Sequence, residues 1–337
     1  MIFDPPIMAL LLLATLTMVA VLAAAPFAAY LLRHWNLESG HARQIRLERG
    51  THLVSTVWML IMLLQVPALA LFVHNADRMA VLFTGAMCAV GTLNVNQWGM
   101  PAFLSQVAVF FGALAWLLMN TADNLGKDYP FIRHKYGLLL ALAPVVVAAG
   151  VMEWLYFLNL DPNVITSCCS RLFTPEGSGV QADLSTFPAK PTLIALFGAL
   201  SALLVLAGLV WGAGGGAGKR VAAVYGLLGA LFFPLAIVAI ISVISPYVYE
   251  TPNHHCPFCI LKPQYGFIGY ALYAPLFFGS GLALGVFVLG ILPMPESVRA
   301  ALPERLRRWT AASALLLALF GLAAFYAIWR SHLVMFH

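Results

Sequence analysis

Charge is what this sequence most lacks. Asp, Glu, Lys and Arg make up 9% of its 337 residues while 62% are hydrophobic, and the mean hydropathy is +0.89. An ordinary soluble chain carries about 25% charged residues, so lipid is the solvent this chain is built for. The formal charge of +5 is explained by the basic loops described below, and a nucleic-acid partner is not implied. Basic residues are also missing ahead of the first apolar run. Leu22-Ala23-Ala24-Ala25 resembles the end of a signal peptide, yet the first Arg is Arg33, after the run, so the segment reads as a retained first helix. No phosphate-binding loop is present. The Gly-rich stretch ending in Lys219 has Ala213 where such a loop needs its first Gly, and Arg220 where it needs Ser or Thr. It reads as a turn between two helices. A Cys-x-x-Cys-His run is absent too, because the histidines precede the cysteines, and covalent haem attachment is not indicated.

What the sequence does have is long apolar runs. A helix needs about 20 such residues to cross the hydrocarbon, and eight segments qualify: 8–32, 53–73, 103–120, 137–159, 192–212, 221–247, 265–292 and 310–329. The fold expected is all-α, a polytopic transmembrane bundle forming a single integral membrane domain over 1–337. Segment 79–100 is different. It carries Gly85, Gly91, Asn94, Asn96, Gln97 and Gly99, a poor composition for a lipid-facing helix and a suitable one for a re-entrant or broken helix buried in protein.

Lys and Arg collect in cytoplasmic loops. Here they cluster at Arg33, Arg43, Arg46 and Arg49, at Lys127, Arg133 and Lys135, at Lys219 and Arg220, and at Arg299, Arg305, Arg307 and Arg308. If 79–100 does not cross, all four clusters fall on one side, the cytoplasm. The alternative is an ordinary helix at 79–100, with 33–52 lying outside. With the basic loops inside, loops 160–191 and 248–264 lie outside, in the periplasmic or extracytoplasmic space of a bacterial-type inner membrane.

Four of the five cysteines occupy those two outer loops: the vicinal pair Cys168 and Cys169, and Cys256 and Cys259 spaced by Pro257 and Phe258. Cys88 stands apart, in segment 79–100. Disulfides persist outside the cytoplasm. Cys-x-x-Cys spacing lets one sulfur attack a partner while the other resolves the mixed disulfide. His254 and His255 come just before the pair, and a helix is expected to start just after it; an imidazolium and a helix N-terminus both favour thiolate. A disulfide between adjacent cysteines closes a small strained ring, and strained disulfides are the labile, oxidising ones.

The run His255-Cys256-Pro257-Phe258-Cys259-Ile260-Leu261-Lys262, followed by Ile268-Gly269, resembles the quinone-linked disulfide oxidoreductases of the DsbB type. The resemblance covers about 20 residues. It implies that Cys256 and Cys259 pass electrons to a membrane quinone and that a second cysteine pair, here Cys168 and Cys169, exchanges with a periplasmic thioredoxin-like protein. Where that family has a basic residue four positions after the second cysteine, this chain has Pro263, with Lys262 beside it.

Two other readings of the same residues stay open. The cysteines could staple the two loops, each bridge stabilising by about 2–4 kcal/mol. Alternatively Cys168, Cys169, Cys256 and Cys259 with His254 and His255 could bind copper or zinc, which suit sulfur and imidazole. Glu153 sits inside an apolar span, where a carboxylate is costly and marks function by default; its plainer reading is an interfacial residue beside Trp154 and Tyr156. The function expected is thiol-disulfide exchange or electron transfer at the outer face. Cys88, Glu153 and Lys262 are candidates for contact with a membrane carrier. The alternative is a non-enzymatic permease-like or metal-handling subunit working with other membrane subunits. The decisive expectation is that the four loop cysteines converge.

Overall fold

A computed structural model describes residues 3–36, 41–166, 186–213 and 215–334. The expected Cys168 and Cys169 pair lies outside the described residues. Among those described, eight helices are long and apolar enough to cross a membrane, as the apolar runs predict, and the chain is a multi-pass membrane protein. Helices suit such runs because lipid offers no partner for backbone N–H and C=O groups.

The helices are α1 (Pro5–His34), α2 (Ala42–Arg78), the short α3 (Ala89–Leu93), α4 (Gly99–Asp123) and α5 (Ile132–Leu158). After them come α6 (Ala189–Gly212), α7 (Gly215–Ala239), a π-helical turn (Ile240–Ile244), α8 (Ser245–Tyr249), α9 (Ile268–Ile291) and α10 (Leu302–Arg330). Two of them extend well beyond the hydrocarbon-crossing runs. Arg43, Arg46 and Arg49 belong to the first turns of α2, and Arg305, Arg307 and Arg308 to those of α10, because Arg and Glu are good helix formers wherever water replaces lipid.

Segment 79–100 does not cross. It consists of a 3₁₀ turn (Met79–Leu82), a reversal at Gly85 with φ +87°, and the five-residue α3. Positive φ is tolerated by glycine, which has no Cβ. A Cβ at Gly85 would also run into the backbone carbonyl of Thr166. The expectation of a broken helix carrying Cys88 inward therefore holds: Cys88 is fully buried.

The chain divides into two compact units. The first comprises Met1–Met79, Thr92–Val164 and Pro293–Leu302; within it α5 packs against α1 and α4, and α2 against α4 and α1. Trp58 and Trp116 meet edge to face in its core, with centroids 6.4 Å apart. A buried ion pair, Lys135 Nζ to Asp123 Oδ2 at 2.5 Å, ties the start of α5 to the end of α4, and Asn120 Oδ1 accepts from the same ammonium. Nearby, Arg133 donates to the Trp35 carbonyl at 2.8 Å, which joins two of the basic segments at one end of this unit.

The second unit comprises Ala80–Gly91, Ile165–Leu292 and Pro303–His337. Its centre is α7, packed on α6 and α9. Helix α10 joins them through Tyr225 Oη and Ser313 Oγ at 2.8 Å, and through Ser313 donating to the Gly279 carbonyl. At one end Lys219 donates to the Leu292 carbonyl and Arg307 to that of Ala213. At the other end, where His332 N donates to Glu250 Oε1, the cysteine loop 250–267 connects α8 to α9.

Candidate functional site

The cysteine loop is anchored by a backbone irregularity. In the π-helical turn Ser245 N donates to the Ile240 carbonyl, an i→i−5 bond. The next such bond would run from residue 246 to the Ile241 carbonyl, but residue 246 is proline and has no N–H. The orphaned carbonyl is taken by the ring of His255, whose Nδ1 lies 2.9 Å away. A carbonyl only accepts, so Nδ1 carries a proton, and in the neutral ring the lone pair is at Nε2. Pro246 thus creates the position that His255 fills, one residue before Cys256.

Tyrosines from both flanking helices fix the next turn. Tyr249 Oη donates to the Cys256 carbonyl at 2.5 Å, and Tyr273 Oη to the Pro257 carbonyl at 2.7 Å. His254 stacks on the Tyr249 ring at 3.9 Å, and Tyr265 meets that ring edge-on. Both histidines therefore help shape the loop. Cys259 opens a 3₁₀ turn to Leu261.

The expected helix start at the cysteines is not there. α9 begins at Ile268, after a second 3₁₀ turn and two residues of positive φ, Gly266 and Phe267. Pro263 lacks the N–H that a continuing helix needs, and the helix dipole acts only within about one turn. The cysteine pair therefore has no helix N-terminus beside it to favour thiolate, contrary to the expectation from sequence.

The partner of this loop comes from far away in sequence. Segment 80–91 is clamped on one side by Thr166, whose N donates to the Thr84 carbonyl and whose Oγ1 donates to that of Gly91, both at 3.0 Å. On the other side Lys262 Nζ donates to the Met87 carbonyl. Lys262, expected at a carrier site, is placed as a brace between the Cys-x-x-Cys loop and the residue before Cys88. Cys88 Sγ lies 3.4 Å from Cys256 Sγ, a contact rather than a disulfide of about 2.05 Å. Cys88, Cys256 and Cys259 are all buried, and their three sulfurs lie within 4.8 Å of one another.

Two kinds of chemistry fit three sulfurs at this spacing. Thiol-disulfide exchange needs an attacking, a central and a leaving sulfur in one place. A soft metal ion held at about 2.3 Å by three thiolates would set them about 4 Å apart. Among the described residues the histidines are not part of the group able to share one ion.

Glu153 belongs to the first unit, buried on α5, where Gln106 Nε2 donates to its Oε2 at 2.5 Å. The sequence pointed to Cys256, Cys259 and Glu153 directly. It named Cys88 as a candidate for carrier contact without joining it to Cys256, and it gave no sign of Tyr249, Tyr273 or Thr166 as scaffolding. The available signal was a cysteine within a glycine-flanked apolar segment unable to cross lipid. Comparison with protein-family models, with curated proteins and with solved structures returned no match to this chain.

Proposed function

We propose that this protein is a thiol-disulfide exchange protein of a bacterial-type inner membrane, working through Cys88, Cys256 and Cys259. The observation that carries the reading is the 3.4 Å approach of Cys88 Sγ to Cys256 Sγ inside a closed three-sulfur cluster. With Cys256 and Cys259 oxidised, the Cys88 thiolate attacks Cys256 Sγ. A Cys88–Cys256 bond forms, the Cys256–Cys259 bond breaks, and Cys259 leaves as the thiolate. The exchange moves the disulfide without net oxidation. Net turnover takes two electrons and two protons from an external dithiol, such as a thioredoxin-like protein, to a membrane quinone. The vicinal pair Cys168 and Cys169 is the proposed entrance, and Thr166, clamped on the Cys88 segment, stands two residues before Cys168 in the chain.

Sidedness follows from charge. Basic segments meet at one end of each unit, through Arg133 on Trp35 in the first and Arg307 on Ala213 in the second, and charge assigns that end of each to the cytoplasm. Reporter tags at Pro303 and Asn253 should read cytoplasm and periplasm respectively. Peptide mapping after acid quenching tests the chemistry. A Cys88–Cys256 disulfide with Cys259 as a free thiol is the expected result in the wild type; in Cys259→Ser the same bond should form only by two-electron oxidation with added oxidant, and be reduced when a dithiol partner is added. Persistent absence of that bond under oxidant rejects exchange.

A second reading rests on the 4.8 Å envelope of the three sulfurs, which also suits Cu(I) or Zn(II) in a metal-handling membrane subunit. Stoichiometric metal retained through purification in reductant and lost in Cys88→Ser would favour it.

A further inference from the structure

Away from the cysteines, the first unit buries an acid with an unusual set of partners. Glu153 is 1% exposed, and among the described residues no ion pair reaches it. Its Oε2 accepts from Gln106 Nε2, while Glu153 Oε1 and Gln106 Oε1 are both buried with no hydrogen-bond partner. Two acceptors left over from one carboxyl–amide contact have a simple remedy. A proton on Glu153 Oε1 can be donated to Gln106 Oε1. The amide N–H then donates to one carboxyl oxygen and the acid O–H to the amide oxygen, closing a cyclic acid–amide pair with every polar atom engaged.

The surroundings favour the neutral acid. A carboxylate inside the bilayer is costly without a cation or several donors, and the nearby hydrogen-bonding groups are neutral; toward the ends of α1 and α2, Asp4 pairs with Arg78, with His74 and Asp77 also in the last turns of α2. Gln106 comes from α4, and on α1 Thr15 accepts from Trp154 Nε1. On α2, Gln65 is engaged with Thr17. The next titratable group on α5 itself is Tyr156, whose hydroxyl donates to the Thr92 carbonyl. The nearest charged groups on α4 and α5, Asp123 and Lys135, are paired with each other at the opposite end of both helices, about 27 Å from Glu153 along α5 at 1.5 Å per residue. Glu153 is five residues from the end of α5, and Gln106 seven from the start of α4. The pair therefore lies about 8–10 Å inside the helix ends.

We propose that Glu153 and Gln106 form an intramembrane proton-binding site, in which Glu153 Oε1 carries a proton shared with Gln106 Oε1. The inference is independent of the cysteine chemistry. Infrared spectroscopy of the full-length protein in lipid vesicles, with Glu153→Gln and Glu153→Asp variants, tests it. A protonated-carboxyl C=O band is expected in the wild type at neutral pH. It should shift on exchange into deuterium oxide, disappear in Glu153→Gln and move in Glu153→Asp. Glu153→Gln keeps an amide–amide pair, so the helices should remain associated while the band is lost. A wild-type protein without such a band, or a band untouched by either substitution, overturns the proposal. If Glu153→Gln does not fold, the displaced band of Glu153→Asp carries the assignment by itself.

Discussion

Cys88 and Cys256, 168 positions apart in the chain, bring their sulfurs to 3.4 Å in a fully buried site. Two threads hold them there. Lys262, three residues beyond Cys259, donates to the carbonyl of Met87 beside Cys88, and Tyr249 grips the Cys256 carbonyl. The proposed exchange would therefore need only small side-chain rotations, with the backbone on both sides already held.

Cys88 is expected to be as necessary as the Cys-x-x-Cys pair. Replacing one member of a reacting unit removes nearly all the effect of the unit. Cys88→Ser should lower dithiol oxidation by on the order of 10²-fold or more, about as much as Cys256→Ser. Stopped-flow oxidation of a model dithiol in vesicles measures both, and a Cys88→Ser protein of near wild-type rate would remove Cys88 from the mechanism.

The brace at Lys262 predicts a change in access. In Lys262→Met the Met87 carbonyl loses its donor and the Cys88 segment loosens. Stability should fall by about 1 kcal/mol, while alkylation of Cys88 by a maleimide becomes faster. Mass spectrometry of timed alkylation resolves the effect residue by residue. An unchanged Cys88 rate would mean that Lys262 does not restrain the segment.

At the clamp itself, Gly85→Ala should be harmful for two reasons, its φ of +87° and the Thr166 backbone where the new Cβ would go. Left-handed strain in a residue other than glycine costs about 1–3 kcal/mol, before the steric conflict is added. Thermal unfolding in detergent should show a lower midpoint, whereas Gly137→Ala, at a position with open space, should not.

His255 and Pro246 should be energetically coupled. His255→Ala leaves the Ile241 carbonyl buried without its ring donor, costing about 1–3 kcal/mol. Pro246→Ala restores an N–H able to serve that carbonyl. The double variant should recover part of the loss, and a double-mutant cycle measures the coupling. Strict additivity would show that the π-turn and the histidine are unrelated.

Lys135→Met should destabilise the first unit by about 3–5 kcal/mol, because it leaves Asp123 as an unpaired buried charge. Asp123 also accepts from the Phe131 N–H at 2.8 Å. Adding Asp123→Asn, which keeps an acceptor and removes the charge, should therefore return much of the stability. Chemical denaturation in mixed micelles compares the three proteins.

The sequence by itself determined the solvent, the eight spans and the break at 79–100. The reason is local: each span must hold about 20 apolar residues of its own, and Gly85, Asn94 and Asn96 mark a segment that cannot. Cys256 and Cys259 were legible as a chemical pair because their spacing lies within one turn of chain. The span expected at 265–292 is there as Ile268–Ile291, but the helix start expected directly beside the cysteines is not, because Pro263 and the positive φ at Gly266 and Phe267 intervene. Likewise, a proline inside an apolar span does not announce which distant histidine will serve the carbonyl it orphans. Tertiary structure alone decided that Cys88 meets Cys256 and that Glu153 faces Gln106. Each contact joins residues on separate helices or loops, and hydropathy fixes that a helix lies in the membrane while side-chain packing fixes which neighbour it faces.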